Sequence, residues 1–233
     1  MTFRVAVMVP VALLLLSACT TDLSTPPGID AAYGADDVYE SIDGQQIVVV
    51  NGSPDAIRLL DWAFGRFLES NLGEPPTERI YFGPDTPGCA SVSGWAKQTE
   101  SSVEIAICLA DASVCNEGLA AGLTNRAKFC ALHELAHAWL IANVDTETEA
   151  AFLAHTNLVT WVSTGETPWH KRGVEYAAEV IAWALMDTRL SLVRIASPPC
   201  RHLEVGFDIL TGATPLLPCG PEESLGPVAE RTT

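Results

Sequence analysis

The sequence predicts an α+β domain in which a short, mostly antiparallel sheet is laid down first and helices are packed on it afterwards. Up to Cys108 the apolar runs are short, β-branched or alternating, and Asn-Gly, Gly and Pro separate them. Beyond Cys115 the apolar runs lengthen and take a helical period. The third observation is His133-Glu134-Leu135-Ala136-His137, which lies in a stretch, 127–141, free of Pro and Gly and rich in helix formers. Residues four apart share a helix face, so the two imidazoles converge on one point, while Glu134 is displaced round the helix toward water. Two zinc ligands and a general base within two turns name a hydrolytic chemistry. Imidazoles and a carboxylate at the centre of an apolar helix also need a partner to be buried at all.

Taking the elements in order, Gln45 to Val50 is a β-branched run closed by Asn51-Gly52, and it reads as a first strand. Ser53-Pro54-Asp55 supplies an N-cap, a Pro in the first turn and an acid beside it, and Ile57, Leu60, Phe64, Phe67 and Leu68 carry a helix to about Asn71. Ile80 to Phe82 is a short strand. A hairpin follows between 89 and 109, with Lys97 to Ser101 as its turn and its centre between Gln98 and Thr99, which sets Cys89 opposite Cys108. Helices are expected at about 117–142 with a break near Gly122, at 146–162, at 172–189 and at 201–211.

The ends have a different character. Met1 to Arg4 is a short basic start, and Val5 to Leu16 is apolar but too short for a stop-transfer helix. Residues 1–18, up to the cleavage point implied by the resemblance that Leu16 to Cys19 carry, read as a signal peptide, 19–44 as a flexible acidic stalk, 45–220 as one domain and 221–233 as a disordered tail. Six further cysteines, an even number, point to disulfides in an oxidising compartment. The expected pairs are Cys89–Cys108 from the hairpin, Cys200–Cys219 flanking the last segment, and Cys115–Cys130 by elimination. Cys130 is excluded as a metal ligand with His137, because seven helical residues rise about 10.5 Å. A net charge of −16 argues against nucleic acid as a partner.

A catalytic zinc site takes three protein ligands and leaves one position open. Glu175 and Glu179 share one face of a later apolar helix, and Ala178 and Ala182 keep that side small enough for close approach to the His133 helix. Leu140 and Asn143 stand where metzincins require Gly and His, which excludes that class. His170 and Tyr176, next to this helix start, are candidate oxyanion donors.

Two resemblances sharpen the expectation. Leu16-Ser17-Ala18-Cys19 resembles the lipobox of bacterial lipoprotein signal peptides, which implies cleavage before Cys19 and a lipid on its thiol, and so an extracytoplasmic, membrane-tethered protein with the lipid as its contact with the bilayer. His133 to His137, with Glu175-Tyr-Ala-Ala-Glu179 downstream, resembles the gluzincin metallopeptidases, in particular small ImmA/IrrE-like zincins and the E-x-x-x-D of thermolysin-like enzymes. That resemblance implies a zincin-like domain with Zn2+ on His133, His137 and Glu175, Glu179 orienting an imidazole, Glu134 as base, and a peptide or protein as substrate. Glu179 as the third ligand is the alternative. The rival reading of the whole chain is a non-catalytic surface lipoprotein that uses the same fold as a binding or scaffold module.

Overall fold

The structure, a computed structural model, describes residues 37–83, 85–86, 88–89, 94–100, 102–108, 123–162, 167–189 and 198–220. It is an α+β fold with strands β1 (Asp37–Glu40), β2 (Gln46–Val50), β3 (Arg79–Phe82), β4 (Gly94–Gln98) and β5 (Val103–Ile107). The helices are α1 (Pro54–Glu69), α2 (Asn125–Asn143), α3 (Thr146–Thr156), α4 (Gly173–Leu185) and α5 (Cys200–Thr211), with a short 3₁₀ turn at Trp169–Lys171.

The five strands form one sheet in the order β1-β2-β3-β5-β4. The sheet is mixed, not mostly antiparallel: β1 with β2 and β4 with β5 are antiparallel, whereas β2 with β3 and β3 with β5 are parallel. The cause is the connection between β2 and β3. Helix α1 carries the chain back across the sheet, and such a crossover delivers a parallel neighbour. Its start is fixed by Ser53, whose Oγ accepts from the Ala56 amide at 3.1 Å.

Side chains alternate between two cores, as the pleat requires. Ile47, Val49, Ile80, Phe82, Val103, Ile105 and Ile107 join the large core shared with the helices. Val50, Tyr81, Trp95, Ala106 and the Cys89–Cys108 pair form a small cluster on the opposite face. Helix α2 crosses the helical face beside β4 and β5, and α4 packs on α2. Every residue of α4 is buried, as is α2 from Cys130 to Leu140, which suits helices apolar nearly all round.

Both ends of α4 are held by other parts of the chain. Gly173 and Val174 donate their amides to the carbonyls of Thr160 and Trp161 at 2.8 and 3.0 Å, satisfying first-turn donors. A side chain at Gly173 would collide with Leu153 and Trp161, so glycine lets the helix begin this close to that segment. At the other end Arg66 of α1 donates to the carbonyls of Leu185 and Met186 at 2.7 and 3.2 Å. Trp139 of α2 donates to Leu72 O at 2.9 Å and ties α2 to the segment after α1.

Several sequence expectations need correction. Strand β1 lies within the segment expected to be a stalk, because Val38 and Tyr39 pair with Val48 and Ile47; the stalk reading therefore fails for 37–44, while 19–36 lie outside the described residues. The hairpin is centred between Glu100 and Ser101, since Gln98 pairs with Val103 and Gly94 with Ile107. The turn is closed by Thr99, which donates to Ser102 O at 2.9 Å and whose Oγ1 accepts from the Ser102 amide at 3.1 Å. Cys89 and Cys108 are bonded nonetheless, but Cys89 sits in a turn ahead of β4, its amide donating to Thr86 O, and not opposite Cys108 in the ladder. Helix α3 stops at Thr156, well short of 162, because Asn157 takes the left-handed conformation that ends helices.

Cys200 and Cys219 are also bonded. Cys130 is disulfide-bonded, whereas Cys115 and residues 221–233 lie outside the described residues. The disulfides point to an extracytoplasmic location. Among the described residues no helix is long and apolar enough to cross a membrane. Cys200–Cys219 closes a segment with a separation of 19 residues, so replacing both by Ala is expected to lower stability by about 3 kcal/mol. Denaturant unfolding of that variant checks this, and a loss below about 1 kcal/mol would show that the bridge constrains little.

Candidate metal centre

Helices α2 and α4 bring His133, His137 and Glu175 together. Nε2 of His133 and Nε2 of His137 are 3.2 Å apart, and Oε2 of Glu175 is 3.4 Å from each. The three atoms form a nearly equilateral triangle. Ligands held tetrahedrally at 2.0–2.1 Å from zinc would be separated by about 3.3 Å, so the triangle has the size of one face of such a tetrahedron. The fourth corner is supplied by none of these three side chains.

The polar atoms behave as a ligand set. Glu175 is 1% exposed, and its Oε2 faces the two imidazole nitrogens at 3.4 Å. The 3.4 Å separations from the imidazoles are at the long limit for hydrogen bonds. Burial raises the tendency of this carboxyl to hold a proton, but the His137 and His133 imidazoles beside it outweigh burial and keep it well below the usual carboxylate range. A buried carboxylate that meets only two imidazoles, at 3.4 Å, fits a site that holds a cation.

Glu179, one turn further along α4, does not join the triangle. Its Oε1 lies 3.7 Å from Nδ1 of His133, the nitrogen opposite the one in the cluster. A carboxylate on the far nitrogen of a ligating histidine fixes the ring's orientation and tautomer. The geometry therefore separates the two glutamates that sequence alone left as alternatives. Helical spacing puts both on the α2 side, and the offset along the axis sends one to Nε2 and the other to Nδ1.

Glu134 is also buried, at 1% exposure, and its carboxylate lies against Gly94 of β4. Strand β4 is the edge of the sheet, and among the described residues no strand pairs with its outer side. Glu134 thus faces the sheet edge, while the histidines face α4.

The surroundings of the two candidate oxyanion donors differ. Tyr176 points about 100° round α4 from Glu175, toward α3, where its ring meets Phe152 at 5.9 Å between centroids. Burial in that apolar setting pushes its hydroxyl up to about 12, and the placement lends no support to a role beside the three ligand atoms. His170 is exposed on the 3₁₀ turn. His155 and His202, assigned no role from sequence, stack on each other at 4.0 Å between α3 and α5.

Trp169 is the neighbour that sequence reasoning missed. Its ring lies 6.1 Å from that of His133, tilted by 32°, so the turn leading into α4 covers one side of the histidine pair. The available signal was position: a bulky aromatic four residues ahead of the helix start has to pass close to what that helix carries.

Comparison of the chain with protein-family models, curated proteins and solved structures found no match.

Purified full-length protein is expected to bind one divalent ion per chain. Glu175→Ala is expected to lose it, whereas Glu179→Ala keeps the site with about 10- to 100-fold weaker affinity. Metal analysis and chelator competition read this directly, and loss of the ion in Glu179→Ala with retention in Glu175→Ala would reverse the assignment.

Proposed function

We propose that the protein is a zinc-dependent hydrolase of peptide bonds, working outside the cytoplasmic membrane and tethered to it through a lipid on Cys19. The observation that supports this best is the buried triangle of Nε2, Nε2 and Oε2, with Glu134 carried by the same helix turn as two of its corners. Three ligands with a fourth corner left to water are the stoichiometry of catalytic rather than structural zinc. Nitrogen and oxygen donors with no thiolate also suit zinc in a hydrolytic role. When bound there, zinc supplies Lewis acidity toward a carbonyl oxygen and toward water.

The chain's own groups divide the remaining work. His133, His137 and Glu175 hold the ion, Glu179 sets the His133 ring, and Trp169 shields that side from solvent. Glu134 accepts a proton from the attacking water and returns it to the departing amine. A peptide is favoured as substrate because β4 is an edge strand beside Glu134, and an extended backbone can align on a strand edge through main-chain hydrogen bonds. The rival reading, a non-catalytic lipoprotein, leaves Glu134 without a use: a purely structural site gains nothing from a buried carboxylate next to its ligands.

Glu134→Gln is expected to keep the fold and the metal while hydrolysis of a peptide library falls at least roughly a hundredfold, since it removes the base but no ligand. Unchanged turnover would sink the mechanism, and a wild-type protein that binds zinc but cleaves nothing would favour the binding module. For the tether, mass spectrometry of the native N-terminus is expected to show a diacylated Cys19, with Cys19→Ala leaving the membrane fraction or remaining unprocessed. An unmodified terminus at any other residue contradicts the anchor.

A further inference from the structure

We propose that Gly94 is a positioning residue: the missing side chain on the edge strand is what allows the Glu134 carboxylate to occupy its place between α2 and the sheet. Gly94 pairs with Ile107, and directly opposed residues share a face, so both point to the side on which the helices pack. The next residue on that face of β4 is Ala96, buried in the same core, so the edge strand offers only small groups where α2 crosses it. A Cβ built on Gly94 would fall within 3.0 Å of both Oε1 and Cδ of Glu134 and 2.5 Å from Ala106 O. Real Cβ atoms essentially never stand so close, so a side chain at 94 must displace the carboxylate, the strand or both.

The φ of Gly94 is not in the left-handed region, so glycine is required by space and not by backbone conformation. Glu134 has little freedom to retreat, being 1% exposed on a helix clamped between β4, β5 and α4. A base held within a few tenths of an ångström is what general-base catalysis needs, and a displacement of about 1 Å can cost a hundredfold in rate. The catalytic part of this inference rests on Glu134 acting as the base proposed above; the steric part does not.

The test is a double-mutant cycle on the metal-loaded full chain with Gly94→Ala, Glu134→Ala and the two combined. The clash with Ala106 O is present in both backgrounds and cancels, which isolates the contact with Glu134. By denaturant unfolding, Gly94→Ala is expected to lower the folding equilibrium constant at least tenfold more with Glu134 present than with Ala at 134. Folding of the double variant where Gly94→Ala alone fails is the same result in stronger form. Equal losses in both backgrounds, or failure of both to fold, would place the need for glycine in the β4–β5 pairing and overturn the proposal. In the catalytic arm, Gly94→Ala is expected to lower kcat at least tenfold with KM and zinc content held. An unchanged kcat in that variant overturns the positioning role even where the stability coupling is found. If the wild-type chain hydrolyses nothing, the proposed function fails, and the stability cycle alone still decides whether Gly94 sets the place of the carboxylate.

Discussion

Five polar side chains, His133, Glu134, His137, Glu175 and Glu179, are each 3% exposed or less within an otherwise apolar helix pair and sheet edge. Two imidazoles and three carboxyl groups are thus packed together out of water. Taking ions out of water costs several kcal/mol each even after relaxation, a cost that the packing of α2 on α4 cannot offset by itself. A divalent cation held by Nε2, Nε2 and Oε2 would offset part of that cost. Metal binding and the α2–α4 interface are in this sense one interaction. An ion bound there would link folding to metal affinity.

The remaining architecture serves the placement of these two helices. Helix α4 is fixed at its start by the carbonyls of Thr160 and Trp161 and at its end by Arg66 of α1, so Glu175 and Glu179 are set along a helix with both termini anchored. Helix α2 is capped by Thr124, whose Oγ1 accepts from the Ala127 amide, and is tied through Trp139 to the segment after α1. The sheet contributes its edge: β4 approaches α2 closely because Gly94 and Ala96 are small, and this puts Glu134 between the helix and the strand. The clustered Nε2, Nε2 and Oε2 atoms are thus set by helix against helix and the Glu134 carboxylate by helix against sheet.

The parts of this arrangement that depend on local periodicity were legible in the sequence. The i, i+4 histidines, the shared face of Glu175 and Glu179 and the Ser53 N-cap follow from helical geometry within one segment, and each is found in the structure where expected. Register and strand direction were less accessible. The hairpin centre was misplaced by two residues because Lys97 and Gln98 look like turn residues although they pair in the ladder, and the disulfide inferred from that register forms outside the ladder. Strand β1 was hidden because only Tyr39 of its four residues is buried, so it carries no apolar alternation. Gly94 meets the site only through tertiary approach, which no window of sequence encodes, and the one signal for Trp169 was its place just ahead of α4.

The central claim is that His133, His137 and Glu175 together hold one metal ion with a coordination position left open. X-ray absorption at the metal edge, on protein purified without added metal and then loaded with one equivalent of zinc, tests it most directly. The expected result is a four-coordinate ion with two imidazole shells and two oxygen neighbours at about 2.0–2.1 Å, one of the oxygens exchangeable for an added inhibitor. A sulfur neighbour, a closed set of four protein ligands, or a spectrum unchanged by replacing His133 and His137 would contradict it.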